Sequence, residues 1–143
     1  NMGYKHVLPQ LINKIQKAKN KNYNFIELIG DGKETRAFCY IDDLVAGLII
    51  LMEKGEDKEI YHIGNDHEIS IKNLSKIIKK NIYPKIKIKT GEATHIGGTK
   101  RRCPDISKMK KLGYRPKVNI EEGVKKSVKW YMDNKNTSTN KLL

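Results

Sequence analysis

Hydrophobic residues recur every three or four positions in four stretches of this chain, which is the spacing of a helix with one buried face. The four apolar stripes are Leu8, Leu11, Ile12 and Ile15; Leu44, Leu48, Leu51 and Met52; Leu74, Ile77 and Ile78; and Ile120, Val124, Val128 and Tyr131. Pro9 suits the first turn of the first helix, where its missing N–H would have no partner. A fifth, shorter helix is predicted from Asp105 to Gly113.

Polar residues at the ends of these stripes predict where the helices begin and end. The capping residues share a short side chain that accepts a hydrogen bond from a free backbone N–H at the start of a helix. In chain order they are Asp42 or Asp43, Ser70, Asp105, and Asn119, which forms a capping box with Glu122. Gly55 stands where the second helix is expected to end.

Four shorter stretches have the composition or the alternation of β-strands, at residues 25–29, 35–41, 59–63 and 85–90. In the last of them lysine alternates with isoleucine, which predicts a half-exposed strand. The turn Gly30-Asp31-Gly32 between the first two predicts a β-hairpin. Short strands and amphipathic helices therefore follow one another along the chain, which is assigned to the α/β class.

The size of the chain, 143 residues, fits one domain with a real core. We expect the folded portion to cover residues 1–134 and the polar residues 135–143 to form a disordered tail. No apolar run reaches the roughly 20 residues that span a bilayer, which argues against a membrane protein. Cys39 and Cys103 do not make a disulfide framework or a metal site, and we expect reduced thiols in a cytoplasmic protein.

The formal net charge of +13 is of a size that also occurs in nucleic-acid-binding proteins. The excess comes from 25 lysines, against only four arginines, and the lysines are spread over every predicted helix. A nucleic-acid footprint is expected to cluster on one face instead. The distribution of charge therefore argues against nucleic acid as the partner.

Motifs that would indicate catalysis or cofactor binding are incomplete. Gly30-Asp31-Gly32 begins like a dinucleotide fingerprint, but it lacks the third glycine and precedes a strand rather than a helix N-terminus. The pattern Tyr-x-x-x-Lys occurs at Tyr83 and Tyr131, as chance allows in a chain with 7 tyrosines and 25 lysines. The four histidines show no metal-ligand spacing. We predict no catalytic, cofactor-binding or metal-binding residue in this chain.

The arginines carry the remaining chemical signal. Arg36 lies in the segment GDGKETRAFCYIDD at residues 30–43, and Arg101 and Arg102 begin the segment RRCPDIS at residues 101–107, which LGYRP follows at residues 112–116. A guanidinium group is a planar fork of donors that matches phosphate oxygens in pairs, which lysine cannot do. Two such forks brought together by the fold would clamp a diphosphate. Exposed charges, or a salt bridge of Arg36 to Asp42 or Asp43, are the simpler alternatives.

Together these segments resemble the extended short-chain dehydrogenase/reductase family of nucleotide-sugar epimerases, dehydratases and decarboxylases. Residues 30–43 look like that family's hairpin with its phosphate-binding arginine, and YHIGN at residues 61–65 looks like the end of a strand. Residues 101–116 look like its second arginine with the helix behind it, and residues 121–131 like its terminal helix. The resemblance runs from about residue 3 to residue 133 and is closest in character to UDP-glucuronate decarboxylases and UDP-hexose 4-epimerases.

The resemblance implies that the chain is the C-terminal, substrate-binding part of an extended Rossmann-type enzyme. The substrate-binding residues that it implies are Arg36, Arg101, Arg102, Tyr40, His6, Val7 and Pro9. Of these, Arg36 and Arg102 would grip the diphosphate of a nucleotide-diphosphate sugar, and the segment from His6 would lie along the nucleotide. Ile29 stands where several relatives place an aromatic residue beside the base, so the resemblance leaves the identity of the base open between UDP- and dTDP-sugars.

The same resemblance implies how an intact enzyme would work. NAD, bound by an N-terminal Rossmann half, would oxidise the sugar at C4, and the 4-keto sugar would then epimerise, lose water or lose carbon dioxide. That half is the expected partner of this chain, and the intact enzyme is expected to be a homodimer. Two alternatives stay open, namely a stand-alone nucleotide-sugar binding module without catalysis and a basic nucleic-acid-binding domain.

Overall fold

The computed structural model describes residues 6–92 and 99–134. In these ranges the helices are α1 (Val7–Asn20), α2 (Ile41–Lys54), α3 (Ile71–Ile82), α4 (Ser107–Lys111) and α5 (Ile120–Asp133). The strands are β1 (Phe25–Leu28), β2 (Thr35–Ala37), β3 (Glu68–Ser70), β4 (Lys87–Thr90) and β5 (Arg101–Arg102). The predicted α/β class, with short strands and amphipathic helices, is therefore confirmed.

The strands form two small sheets rather than one. β1 pairs with β4 in parallel, with Phe25 opposite Lys87 and Leu28 opposite Thr90. In the second sheet β2 is central, antiparallel to β3 and parallel to β5. A parallel pair needs a long crossover connection, so each sheet brings together segments that are far apart in the chain.

The main hydrophobic core lies between α1, α3, α5 and one face of β1. Ile15, Leu74 and Ile78 are fully buried in it. The helical stripes predicted for these three helices supply most of this core, because a spacing of three or four places them on one side of each helix. A smaller second core consists of Ile106, Met109 and Tyr114, against which Leu51, Tyr61 and Ile63 pack.

Two of the predicted caps are confirmed. The Oγ atom of Ser70 accepts a hydrogen bond of 3.2 Å from the backbone N–H of Asn73 at the start of α3. The Oδ1 atom of Asn119 accepts one of 2.9 Å from the N–H of Glu122 at the start of α5. Each bond gives a partner to an N–H that the first turn of a helix leaves unpaired, so the sequence determines where α3 and α5 begin.

The cap predicted at Asp42 or Asp43 is wrong, because α2 begins before both residues and has its N-cap at Tyr40. The buried carboxylate of Asp43 instead accepts hydrogen bonds of 2.9 Å from the backbone N–H groups of Lys117 and Val118. This side chain therefore joins the first turn of α2 to the segment ahead of α5.

The hairpin predicted at Gly30-Asp31-Gly32 is also wrong, since β1 and β2 lie in different sheets. Gly30 and Gly32 have φ angles of 75° and 71°, in the left-handed region that glycine adopts at little cost. The carbonyl of Gly30 accepts from the N–H of Gly91, and the carbonyl of Gly32 accepts from the N–H of Lys72. The turn therefore directs the chain from one sheet into the other.

Two predicted strands are shortened or absent. Residues 35–41 form a strand only as far as Ala37. Residues 59–63 form no strand, because no other described segment offers them a backbone edge to pair with. The side chains of Tyr61 and Ile63 nevertheless pack on the second core.

The buried face predicted for α2 is right only in part, since Leu51 packs on the second core and Leu44 is half-buried. Leu48 and Met52 are 46% and 87% exposed, whereas Asp43 and Gly47 are the buried residues of this helix. A Cβ atom on Gly47 would lie 2.4 Å from the Cγ2 atom of Ile63, so the inner side of the helix has no room for a larger residue. Most aliphatic side chains of α2 consequently point away from both cores.

The predicted tail at residues 135–143 and part of the predicted loop at 91–100 lie outside the described residues. The folded portion assigned to residues 1–134 stays a prediction. None of the helices in the described ranges has the length and the apolar character that crossing a bilayer requires.

Candidate functional site

An open cleft of about 440 Å³ lies where α1 meets the end of β1 and the start of the second sheet. Lys14 and Lys17 line it from α1, Ile29 from the end of β1, and Arg36 from β2. Apolar side chains such as Leu28 line it as well. A concave surface of this size, mostly apolar with a few polar groups, is the usual form of a small-molecule site.

Arg36 and Arg102 lie on the same face of the second sheet. β2 and β5 are parallel, and in their register Arg36 is opposite Arg102 while Thr35 is opposite Arg101. Because successive residues of a strand point to opposite faces, directly paired residues share a face. The fold therefore brings together two guanidinium groups that are 66 positions apart in the sequence.

The guanidinium group of Arg36 is held by backbone carbonyl groups. Its Nη1 atom donates to the carbonyl of Thr35 at 2.6 Å, and its Nη2 atom donates to the carbonyl of Thr99 at 2.7 Å. Nη2 of Arg102 contacts the hydroxyl of Thr99 at 3.2 Å. In residues 6–92 and 99–134 no salt bridge neutralises either arginine, so the alternative of a salt bridge from Arg36 to Asp42 or Asp43 is not found.

Arg101 has a different partner from its neighbour. Its Nε and Nη2 atoms donate to Oε1 of Glu68 at 2.8 and 2.5 Å, and Oε2 of Glu68 accepts from the hydroxyl of Thr35 at 2.7 Å. The hydrogen bonds from Arg101 and Thr35 lower the pKa of Glu68, and Glu68 raises the pKa of Arg101. Arg101 therefore ties β5 to β3 on the opposite face of the sheet from Arg36.

The cleft is positively charged on balance. Lys14, Lys17 and Arg36 line it together with two carboxylates, Glu27 and Glu34. The ammonium group of Lys14 donates a hydrogen bond to the backbone carbonyl of Glu27, which links α1 to β1 across the cleft. With Arg102 beside Arg36, the cations outnumber the carboxylates. Such an arrangement favours an anionic ligand, because a concave, partly apolar wall concentrates the field of the charges that line it.

The other predicted substrate residues are divided between the cleft and its surroundings. Val7 lines the cleft, next to exposed His6 at the N-cap of α1, whereas Pro9 is buried in the first turn of that helix. Tyr40 lines a separate cavity of about 60 Å³ between the segment that precedes α2 and helix α5, and the ammonium group of Lys126 lies 5.0 Å from the centre of its ring. Substrate contacts by these residues and by Arg101 stay predictions.

Sequence reasoning missed Glu68, Glu34 and the two lysines of the cleft. Glu68 lies in β3, a strand that was not predicted, and its link to Arg101 depends on the pairing of three separate segments. Lys14 and Lys17 are one helical turn apart on α1, which places them on one side of that helix. That spacing was available in the sequence, but 25 lysines made it inconspicuous.

The Gly30–Gly32 turn does not form the glycine fingerprint of a dinucleotide site. The Gly30–Gly32 turn leads into β2 instead of the N-terminus of a helix, so it lacks the N–H groups that hold a pyrophosphate in the glycine fingerprint. A search of the same residues finds no group of three or more histidine, cysteine or acidic side chains that could hold a metal ion. The cleft that the described residues form is lined by more cationic than acidic side chains.

Comparison with known proteins relates the chain to part of a larger enzyme family. The model of the NAD dependent epimerase/dehydratase family matches residues 1–64. The chain is 33% identical over 129 residues to probable GDP-L-fucose synthase 1 of Oryza sativa subsp. japonica. The matched residues make up 90% of this chain and 39% of that protein. The chain is also 46% identical over 94 residues to UDP-glucuronic acid decarboxylase 3 of Arabidopsis thaliana. These residues make up 65% of this chain and 27% of that protein.

Solved structures show the same relation. A UDP-glucose 4-epimerase of Thermotoga maritima, crystallised with UDP-glucose, matches with a TM-score of 0.76 and 25% identity, over 90% of this chain and 40% of that one. A dTDP-glucose 4,6-dehydratase of Bacillus anthracis in complex with NAD matches with a TM-score of 0.73 and 22% identity, over 93% of this chain and 41% of that one. The chain thus spans about two fifths or less of the length of these proteins. In sequence and in fold, it is related to part of the enzymes of the NAD dependent epimerase/dehydratase family.

Proposed function

We propose that this chain is the substrate-binding portion of an NAD-dependent nucleotide-sugar epimerase, dehydratase or decarboxylase, and that its cleft binds a nucleotide-diphosphate sugar. The observation that carries the proposal is the pairing of Arg36 with Arg102 on one face of the sheet, beside the cleft. Two adjacent guanidinium groups present several N–H donors to the oxygens of a diphosphate, and bidentate arginine–phosphate contacts are among the stronger hydrogen bonds in proteins.

The present partners of Arg36 support this role. Carbonyl oxygens are neutral acceptors that leave the positive charge of Arg36 uncompensated, and Coulomb attraction adds to its hydrogen bonds when the acceptor is a phosphate. A diphosphate in the cleft would therefore replace weaker partners of Arg36 with stronger ones, without first breaking an ion pair. Arg101 supports the site indirectly, because its ion pair with Glu68 holds β5 against the rest of the sheet.

The remaining cleft residues would bind the nucleoside. Val7 and Ile29 offer apolar contact for a base, and Lys14 and Lys17 add positive charge on the same side. Uracil, thymine and guanine all have an apolar face and carbonyl oxygens, so these residues are compatible with the UDP-, dTDP- and GDP-sugars named by the relatives.

The sugar chemistry would take place outside the residues of this cleft. In the proposed enzyme the reaction would pass through a 4-keto sugar, and NAD, which the Bacillus anthracis structure contains, would supply the redox chemistry from outside this chain. The contribution of this chain is positioning, since binding energy from the diphosphate holds the sugar in register for reaction. The intact enzyme is expected to be a homodimer.

Substitution of Arg102 in an intact enzyme that contains this chain tests the proposal. Loss of one arginine–phosphate contact costs about 1.5–3 kcal/mol, so Arg102→Ala is expected to raise KM for the nucleotide sugar by roughly tenfold or more. Arg115→Ala is the matched control, because Arg115 donates hydrogen bonds to the backbone carbonyls of Lys110 and Tyr114 and does not line the cleft. An unchanged KM for Arg102→Ala would rule out the clamp.

A further inference from the structure

A carboxylate stands beside the arginines proposed to hold the diphosphate. Glu34 is half-buried, lines the cleft and precedes Arg36 by two positions. Its backbone carbonyl accepts a hydrogen bond of 3.0 Å from the N–H of Ile71, which extends the pairing of β2 with β3 by one residue. Because residues two apart on a strand point to the same face, the side chains of Glu34 and Arg36 lie on one side of the sheet.

The carboxylate of Glu34 also reaches the end of β1. A Cβ atom on Gly30 would lie 3.2 Å from its Oε1 atom, so the carboxylate lies against the backbone of the turn that follows β1. Ile29, the residue before Gly30, lines the same cleft and is 74% exposed. Glu34 therefore lies between Arg36 on one side and Ile29 on the other.

A negative charge at this place disfavours a diphosphate unless the ligand supplies hydrogen-bond donors for it. In residues 6–92 and 99–134 no salt bridge neutralises Glu34. The donors of a nucleotide-diphosphate sugar are its hydroxyl groups and the N–H groups of its base. An ionised carboxylate accepts hydrogen bonds from both, and its charge makes these bonds stronger than those between neutral groups.

The covalent order of a nucleotide decides between these donors. In every nucleotide the ribose lies between the phosphates and the base, just as Glu34 lies between Arg36, which is proposed to bind the diphosphate, and Ile29, which is proposed to contact the base. Two residues of a strand span roughly 6.5–7 Å. The carboxylate is thus kept away from the phosphate oxygens at Arg36 and is within reach of the next group along the nucleotide, which is the ribose.

We propose that Glu34 accepts hydrogen bonds from the 2′- and 3′-hydroxyl groups of the ribose and thereby selects ribonucleotide sugars over 2′-deoxyribonucleotide sugars. The two oxygens of a carboxylate can each accept from one of two adjacent hydroxyl groups. A 2′-deoxyribose leaves one of these oxygens without its donor, and a site built to bond a hydroxyl group discriminates against a ligand that lacks it. UDP- and GDP-sugars are therefore preferred to dTDP-sugars. This inference rests on the proposed function.

The test is a calorimetric titration of the 143-residue chain with two pairs of nucleotides, UDP with 2′-deoxy-UDP and GDP with 2′-deoxy-GDP. Within each pair the base and the diphosphate are identical, so the ratio of the two Kd values reports the 2′-hydroxyl group alone. We expect the ribonucleotide of each pair that binds to bind about tenfold more tightly. Equal affinities within the pairs would overturn the proposal.

Substitutions assign the preference to Glu34. Glu34→Ala keeps the backbone bond to Ile71 and is expected to reduce the ratio of Kd values to below about twofold. Glu34→Gln keeps the size of the side chain and loses its charge, so its ratio should lie between those of the wild type and Glu34→Ala. Glu27→Ala removes the other carboxylate that lines the cleft and is the matched control, which should keep the tenfold ratio. An unchanged ratio in Glu34→Ala, or an equal loss of affinity for both nucleotides of a pair, would overturn the proposal.

The role of Glu34 and the proposed function fail in different ways. Nucleotide binding that depends on Arg36, with no preference for the ribonucleotides, would retain the proposed function and reject the role of Glu34. Absence of binding for all four nucleotides would reject the proposed function, and the role of Glu34 with it.

Discussion

Asp43 links the first turn of α2 to the segment ahead of α5 through two hydrogen bonds to backbone N–H groups. Hydrogen bonds to a charged group contribute about 1.5–3 kcal/mol each, and the losses are not additive. We expect Asp43→Ala to lower the free energy of unfolding by about 2–4 kcal/mol, measured by urea denaturation. Asp43→Asn keeps one acceptor oxygen, so its free energy of unfolding should lie between those of the wild type and Asp43→Ala. A loss below about 0.5 kcal/mol for Asp43→Ala would contradict the stabilising role of these hydrogen bonds.

Glu68 gives the fold a dependence on pH. The hydrogen bond from Arg101, followed by that from Thr35, lowers its pKa in the folded state below the ordinary value of about 4.5. Because the folded pKa is depressed, this contribution to stability is present above pH 4.5 and is lost as the pH falls through the folded pKa. Between pH 7 and pH 3, the Tm of Glu68→Gln should therefore fall less steeply below pH 4.5 than the Tm of the wild type. An equal fall of Tm in the two proteins would contradict the ion pair.

At the scale of elements, two helical glycines have opposite roles. A Cβ atom on Gly47 of α2 would lie 2.4 Å from Cγ2 of Ile63, whereas one on Gly123 of α5 would meet nothing closer than 3.7 Å. Gly47→Ala is expected to destabilise the fold by about 1–3 kcal/mol through overpacking. Gly123→Ala should stabilise it by about 0.5–1 kcal/mol through helix propensity. Urea denaturation of both variants checks the contrast, and similar values for the two would contradict the close approach of α2 to residue 63.

The helices could be predicted from the sequence because the signals that define them are local. Ser70 and Asn119 bond to N–H groups three residues away, and the stripes of α1, α3 and α5 match their buried faces. The strand partners could not be predicted in this way, since β2 pairs with segments more than 30 residues distant. The stripe of α2 was predicted only in part, since Leu48 and Met52 are exposed, because periodicity identifies apolar positions without identifying what covers them.

The candidate site, too, could be predicted from the sequence only where the signal is local. Arg36 and Arg102 were identified from their residue type and motif, and the pairing of β2 with β5 places them together. Glu68 was missed because it acts through a strand that has no sequence signal of its own. The separation of Arg101 from Arg102 onto opposite faces follows from the alternation of a strand, and it required knowing that residues 101 and 102 form one.

For the whole molecule, the cleft is the surface on which the proposed function rests. The cleft carries the charged groups that suit the proposed nucleotide-diphosphate sugar. A nucleic-acid-binding domain would instead bind with an affinity that falls steeply with salt and depends on many lysines together. Nucleotide-sugar affinity that depends on two named arginines distinguishes the two functions.

The most direct test is a calorimetric titration of the chain with UDP-, dTDP- and GDP-sugars. We predict binding of at least one of them, weakened roughly tenfold to a hundredfold by Arg36→Ala and by Arg102→Ala, because each removes a charged contact worth about 1.5–3 kcal/mol. Arg115→Ala should change the affinity less than about twofold. Equal affinities for the wild type, Arg36→Ala and Arg102→Ala would contradict the account, as would an Arg115→Ala protein that binds as weakly as the other two.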